Sequence, residues 1–169
     1  MTTTTDVAVT TDALIRPIIA SRHMTNKILE AIPEDKWLDQ PFDGFNHVWW
    51  NVGHIATCDD YFLKVLFDAP SKMEAWYELF GPGSKPSADG AGYPSPAELR
   101  DAMSARHEDL LNAFRALDND GWAKALPEDW QEFSPTYREL PGVIAWHEGM
   151  HAGQLTVARK ALGGEPVMM

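Results

Sequence analysis

The sequence has few cysteines, few basic residues and no long apolar run, and each scarcity excludes a class of protein. Cys58 is the only cysteine among 169 residues, so the chain cannot form an internal disulfide, which fits a reducing cytoplasm. Lys and Arg number 14 against 25 Asp and Glu, which gives a formal net charge of -11. This acidic excess disfavours nucleic acid and anionic membranes, because both are bound by clustered basic residues. The expected partner is therefore a small molecule or another protein.

No stretch approaches the roughly 20 apolar residues that are needed to span a bilayer. Residues 1–11 are rich in Thr and lack the basic and apolar regions of a signal peptide. We therefore expect residues 1–11 to be a disordered tail and residues 12–169 to form a single domain. The same features predict a soluble, cytoplasmic protein.

Four segments have helical periodicity, and none has convincing strand alternation. The predicted helices cover about 12–32, 46–67, 95–117 and 137–162, and a short helix is expected at 73–80. Residues 81–96 are dense in Gly, Pro and Ser, which indicates a long linker. Four long amphipathic segments with long connections predict an all-α fold, namely a four-helix bundle with long crossover connections.

Local signals predict how several of these helices begin and end. Ser95, Pro96 and Glu98 match the capping box and first-turn proline of a helix N-terminus. His47 lies near the start of the second helix, where it is either a cap residue or the lining of a cavity. Asp118 to Gly121 is expected to be a turn that ends the third helix.

The segment HEGMHAGQL in the last helix places two histidines, His147 and His151, one helical turn apart. Residues four apart lie on one face of a helix, so both imidazoles can point at one centre. His54 lies on a mostly apolar second helix and is expected to face the same core. Three histidines with an open position are the pattern of a catalytic zinc site, and nickel or iron would also accept it. The predicted metal ligands are His54, His147 and His151.

The predicted core stripe of the last helix includes both histidines. Its members are Val143, Ile144, His147, Met150, His151, Leu155, Ala158 and Leu162. The competing interpretation is a set of core histidines satisfied by hydrogen bonds alone. Cys58, one turn after His54, is a possible further ligand, although a buried structural cysteine is the commoner case.

Three acidic side chains near these ligands in the sequence remain open to two interpretations. Glu148 completes an HExxH motif and could act as an outer base, but no further protease ligand follows, and a solvated or ion-paired surface glutamate is expected. Asp59 and Asp60 could orient a ligand histidine, with solvated helix acids as the default. His23 and His107 are interpreted as surface or edge histidines.

Two segments resemble the DinB-like (YfiT-like) superfamily of metal-dependent hydrolases. HVWWNVGHIATCDDYFLKVLF (47–67) resembles its second helix, in which an aromatic and apolar stretch precedes a ligand histidine and an aromatic pair. AWHEGMHAGQLTVARKALG (145–163) resembles its last helix, with the pattern HxxxHxGQL followed by a basic residue. Helix number and order agree over about residues 12–162.

The resemblance implies that His54, His147 and His151 form the metal triad of a four-helix bundle that is often a homodimer. Zinc or nickel is the usual ion of such members, and several use mycothiol, bacillithiol or glutathione in transferase or isomerase reactions. We therefore predict a metal-dependent transferase or hydrolase of small molecules, activating a low-molecular-weight thiol or water. The alternative is a non-catalytic metal-binding or stress-response bundle, which a fourth protein ligand such as Cys58 would favour.

Overall fold

The computed structural model describes residues 10–167, and over that range it is helical and contains no β-strand. Its helices are α1 (Thr11–Glu30), α2 (Val48–Phe67), α3 (Tyr77–Phe80), α4 (Pro96–Arg115), α5 (Asn119–Ala123) and α6 (Leu140–Ala161). Short 3-10 turns precede α3 and lie in two connections, at Glu34–Lys36, Glu74–Trp76 and Glu128–Trp130. The predicted all-α bundle is confirmed. None of the helices described over residues 10–167 is long and apolar enough to cross a bilayer.

The four long helices form a ring in which α1 packs on α6, α6 on α2, α2 on α4 and α4 on α1. Helices α1 and α6 run in the same direction, because Arg22 contacts Glu148 and Ile28 lies beside Thr156. Consecutive helices α1 and α2 therefore occupy diagonal corners, as do α4 and α6. The connections at 31–47 and 116–139 cross the ends of the bundle, as the predicted crossover topology requires.

Hydrogen bonds at the helix ends explain where the helices start. Ser95 and Glu98 form the predicted capping box of α4, with Pro96 at its first position. His47 caps α2, because its Nδ1 accepts from the backbone N–H of Trp50 at 3.1 Å. The prediction for Asp118 was wrong in part: its side chain caps the short helix α5.

The N-terminal boundary differs slightly from the expectation. The side chain of Thr10 accepts from the backbone N–H of Ala13, so α1 begins at Thr11, one residue before the predicted start. Residues 1–9 of the predicted tail lie outside the described residues. The division into a tail and a single domain stays a prediction.

The bundle core consists of two apolar clusters with polar side chains between them. One cluster surrounds Trp37, Trp50 and Leu155, and the other surrounds Phe62, Phe114 and Ile144. The buried polar residues include Arg22, Asn51, His54, Asp59, Asp60, Arg106, Glu148 and His151. Buried charges and imidazoles are costly unless they are paired, so this polar layer marks the part of the core where function is to be sought.

At Gly53 the backbone of α2 packs directly against the segment that follows it. A Cβ at this position would lie 2.5 Å from the ring of Phe80, which is fully buried. Gly53→Ala should therefore lower the free energy of unfolding by about 1–3 kcal/mol, although Ala is the better helix former. Urea denaturation measures the change.

Gly149→Ala is the matched control, because Gly149 is exposed on α6 and a Cβ there meets no atom within 4 Å. This substitution should stabilise the protein by up to about 1 kcal/mol through helix propensity alone. Equal effects at both positions would contradict the packing argument for Gly53.

Candidate metal centre

The structure brings together the three histidines that the sequence singled out. One ligand nitrogen from each of His54, His147 and His151 lies within 4.8 Å of the other two. The Nε2 atoms of His147 and His151 are 3.3 Å apart, and the His54 ring centre is 4.6 Å from that of His151. His54 and His151 are buried, whereas His147 is partly exposed. The centre is therefore embedded between α2 and α6, with its accessible side at His147.

A hydrogen-bond chain sets which nitrogen of His151 carries the proton. The amide nitrogen of Asn51 donates to the carbonyls of Asn46 and His47, at 2.9 and 3.1 Å. That leaves the Asn51 Oδ1 as the acceptor for His151 Nδ1, 2.9 Å away. A proton on Nδ1 leaves the Nε2 lone pair of His151 free to point at the centre.

The same logic holds for His54 on the opposite helix. Its Nδ1 lies 2.5 Å from the backbone carbonyl of Phe80, which can only accept, so Nδ1 is the donor and Nε2 carries a lone pair. Trp50 stacks on the ring with 4.6 Å between centroids and 12° between planes. The imidazole is thus held in orientation from two sides, as metal-ligating histidines are.

Burial keeps these imidazoles in the neutral form that binds metal. It lowers the pKa of His54, and it lowers that of His147 to about 4 and that of His151 to about 3, with further lowering from the neighbouring histidines. At neutral pH the centre therefore presents uncharged nitrogen donors. The Nε2 lone pairs of His54 and His151 and a ring nitrogen of His147 converge on one centre, so the donor set fits a divalent metal ion.

Cys58 contacts the centre only at its edge. Its Sγ lies 3.4 Å from His54 Nε2, but the thiol is not part of the cluster in which all ligand atoms lie within 4.8 Å. Burial, and then the nearby Asp59 carboxylate, raises the pKa of the thiol to about 12, which favours the protonated form.

Beneath the histidines lies an ion-pair cluster that contains Arg22, Asp59 and Glu148. Arg22 Nε is 2.7 Å from Glu148 Oε1, and its Nη2 is 2.8 Å from Asp59 Oδ2. Its Nη1 donates to the carbonyl of Met103 at 2.9 Å. One guanidinium therefore contacts α2, α4 and α6 from its position on α1.

This cluster corrects two expectations from the sequence. Glu148 is 2% exposed and Asp59 is 3% exposed, so neither is a solvated surface acid. Asp59 on α2 and Glu148 on α6 both point into the core, where the positive charge of Arg22 compensates their negative charges. Arg22 and Asn51 were not predicted from the sequence, although Arg22 occupies a core position of α1 between Ile18 and Thr25.

Asp60 is also buried, and it ties α2 to the following segment. Its carboxylate accepts from the Ser71 and Tyr77 hydroxyls, both at 2.6 Å, and from the Lys72 backbone N–H at 2.9 Å. Arg106 Nε lies 3.0 Å from Asp60 Oδ1. These contacts hold the residues that lead to Phe80, whose carbonyl orients His54.

Of three further expectations for single residues, one agrees with the structure and two do not. His23 is exposed, as predicted. The His107 side chain is only 12% exposed, with its Nδ1 3.9 Å from Asp59 Oδ2, so it is more enclosed than a surface residue. Met150 is 43% exposed and thus lies outside the core stripe of α6, in which Glu148 lies instead.

A cavity of about 170 Å³ lies beside the centre. It is lined by Thr57, Cys58, Tyr61, Tyr77, Gly81 and Pro82. Tyr61 and the start of the 81–96 linker are therefore part of its wall. Trp49 does not line this cavity, because its indole N–H donates to the carbonyl of Pro94. The cavity meets the centre through Cys58, which contacts both.

Comparison with known families agrees with this geometry. The sequence profile of the DinB superfamily matches residues 18–155, which is most of the chain. The chain belongs to the DinB superfamily. No curated protein matches the chain. The three histidines of the cluster lie in segments 47–67 and 145–163, the two segments that resembled this superfamily.

Replacing Arg22 tests how much the DinB bundle depends on the buried ion-pair cluster. Arg22→Met leaves two buried carboxylates without a cation, so it should lower the free energy of unfolding by about 3–5 kcal/mol. Adding Asp59→Asn and Glu148→Gln should restore part of that loss. Arg115→Met, which removes an exposed ion pair with Glu108, should cost no more than about 1 kcal/mol. A small loss for Arg22→Met would contradict the assigned role.

The depressed histidine pKa values predict how stability depends on pH. Unfolded histidine has a pKa of about 6.5, so below that pH the unfolded chain binds a proton that folded His151 does not. The contribution of neutral His151 to the free energy of unfolding is therefore fully present above pH 6.5 and is lost as the pH falls toward 3. In chelator, the wild-type free energy of unfolding should fall between pH 6.5 and 4.5. His151→Gln should reduce that slope by up to about 1.4 kcal/mol per pH unit. Equal slopes in urea titrations would contradict it.

Proposed function

We propose that this chain is a metal-dependent enzyme of small molecules, a transferase or hydrolase that uses a zinc or nickel ion held by His54, His147 and His151. The observation that carries the proposal is the convergence of three neutral imidazoles with no fourth protein ligand in the cluster, among residues 10–167. Three protein ligands leave a position open for exchange, as in catalytic zinc sites. When bound, the ion would supply Lewis-acid activation of a low-molecular-weight thiol or of water.

The residues of the chain would hold this centre in one geometry. Asn51 and the Phe80 carbonyl fix the two buried imidazoles through their Nδ1 protons. Glu148 neighbours His147 in sequence, but its carboxylate is bound to Arg22 and accepts from Ser21 at 3.5 Å. We therefore assign Glu148 a positioning role and place no proton-transfer step on it.

The cavity beside the centre is the proposed site of the substrate. Thr57 Oγ1 is buried and has no hydrogen-bond partner among the described residues, and Thr57 lines this cavity. A buried hydroxyl without a partner is costly, so a polar substrate group that bonds to it would be favoured. Tyr61 and Pro82 would form the apolar wall around such a substrate.

A structural ion in a non-catalytic bundle is the alternative. It would require Cys58 to complete the coordination, and the contact of Cys58 with His54 at 3.4 Å is the one observation in its favour. The two functions differ in a measurable way, because a closed site excludes added ligands whereas an open site exchanges them.

Cobalt substitution distinguishes the two functions in one experiment. The wild-type protein should take up cobalt, and added 2-mercaptoethanol should give a near-ultraviolet charge-transfer band as the thiol binds. Cys58→Ser should keep both properties. His151→Ala should lose most of its cobalt by elemental analysis, and Asn51→Leu should weaken cobalt affinity by about 10–100-fold.

Two results would contradict the proposal. Equal metal content in the wild type and His151→Ala would remove the centre itself. A full cobalt complement in the wild type without any response to the thiol, together with metal loss in Cys58→Ser, would establish the structural ion instead.

The homodimer remains a proposal. Its support is a set of exposed apolar side chains on one side of α6, where Trp146 is 61%, Met150 43% and Val157 42% exposed. Exposed apolar residues at helical spacing are typical of surfaces that pair with a second helix.

A further inference from the structure

Among residues 10–167, three arginines are almost fully buried, and one of them differs from the other two. Arg22, Arg106 and Arg159 are 4%, 3% and 2% exposed. Arg22 pairs with two carboxylates, and Arg106 pairs with two others, those of Asp60 and Asp109. Arg159 forms no ion pair with any residue between 10 and 167, and its Nε and Nη1 have no hydrogen-bond partner there.

A buried guanidinium without an anion is not a stable arrangement by itself. Arginine keeps its charge in proteins, so it cannot relieve burial by losing a proton as lysine or histidine does. Buried charges are therefore found paired or bound to a ligand. The contrast with Arg22 and Arg106 shows that this chain obeys the rule elsewhere, so Arg159 requires an anion from outside the described residues.

The surroundings of Arg159 supply a place for such an anion. A cavity of about 380 Å³ lies between α1, the last turns of α6 and the segment that follows α6. Its apolar lining comes from Met24, Ile28, Ala152, Pro166 and Val167, with Arg159 in its wall. Gly164 packs directly on Arg159, since a Cβ there would lie 2.7 Å from the arginine Cγ. The chain that follows α6 thus packs closely on the stem of the Arg159 side chain.

We infer that this cavity is a binding site for a small amphiphilic carboxylate, whose anionic group pairs with Arg159 and whose apolar body fills the space between α1 and α6. A guanidinium matches a carboxylate in charge and in hydrogen-bond geometry. The lining is too apolar to suit a strongly hydrated inorganic anion alone. The chain is acidic overall, so a bound anion depends on this local pairing and not on a general attraction.

The site is separate from the metal centre. Arg159 follows His151 by eight residues on α6, which places the two Cα atoms about 12 Å apart along the helix axis. The two cavities share no lining residue. The inference therefore does not rest on the proposed enzyme activity.

Isothermal titration calorimetry with sodium octanoate tests the inference on the full chain. The wild type should bind octanoate saturably, whereas 1-octanol and sodium sulfate, which supply the apolar body or the charge alone, should bind at least about tenfold more weakly. Arg159→Met should weaken octanoate binding by at least about tenfold, and Arg159→Lys should retain part of it. Because Met removes an unpaired buried charge and keeps the apolar stem, the variant should still fold.

Two matched variants make the result specific. Gly153→Leu leaves Arg159 in place and fills the cavity from a position where a Cβ meets no atom within 4 Å, so it should also abolish binding. Lys160→Met removes the exposed cation at the rim and should change binding by less than about twofold. His147→Ala should leave octanoate binding unchanged, which separates this site from the metal centre.

The inference is overturned by any of three results. These are no saturable octanoate binding to the wild type, equal binding in Arg159→Met, or loss of binding in Lys160→Met with retention in Arg159→Met. The first two would show that no anion site exists at Arg159, and the third would place the carboxylate on the surface.

Discussion

The guanidinium of Arg22 is the interaction on which the bundle depends, because it joins α1, on which Arg22 lies, to the other three long helices. It extends from α1 to Asp59 on α2, to the Met103 carbonyl on α4 and to Glu148 on α6. An apolar core tolerates small shifts of one helix along another, since any well-packed register buries similar area. A buried guanidinium that must pair with two carboxylates tolerates only the register in which all three groups lie within ion-pair distance. The ion-pair cluster therefore selects one arrangement of the helices.

That register determines the metal centre, because the same helices carry the ligands. Glu148 is adjacent to His147, so fixing its carboxylate on Arg22 fixes the rotation of α6 about its own axis. Asp59 lies five residues after His54 and does the same for α2. The orientation of the two buried imidazoles then depends on one hydrogen-bond acceptor each, the Phe80 carbonyl for His54 and Asn51 Oδ1 for His151. The ion pairs thus determine where the ligand helices lie, and the hydrogen bonds determine how the imidazole rings are oriented.

Much of this could be predicted from the sequence, and the omissions share one physical cause. Periodicity located the long helices within a few residues, and the i, i+4 pair with His54 identified the cluster, because both signals are local. Glu148 and Asp59 were placed at the surface because a charged residue is solvated by default. Their partner lies 126 and 37 residues away in the chain, so no local pattern could reveal the compensation.

A signal for the cluster was nevertheless present in the spacing. Ile15, Ile18, Arg22, Thr25 and Leu29 follow one another at intervals of three and four, and all are buried. Ile144, Glu148, His151 and Leu155 do the same on α6. A buried arginine on one helix requires a buried anion nearby, so a glutamate in the core stripe of another helix is its expected partner. Met150 was predicted to lie in the core stripe of α6, but Met150 is exposed and Glu148 is buried there. With Glu148 assigned to the surface, its pairing with Arg22 could not be predicted.

The buried arginines differ in whether they stabilise the fold or serve to bind a ligand. A protein that buries Arg22 and Arg106 supplies four carboxylates for them, at the expense of hydrophobic contacts those positions could have made. Such compensation within the chain needs no ligand, so these arginines belong to the architecture. Arg159 is buried as deeply and receives none from residues 10–167, while it faces a cavity with an apolar lining. The difference lies in where the compensating charge comes from, and an external source makes a buried arginine a binding group.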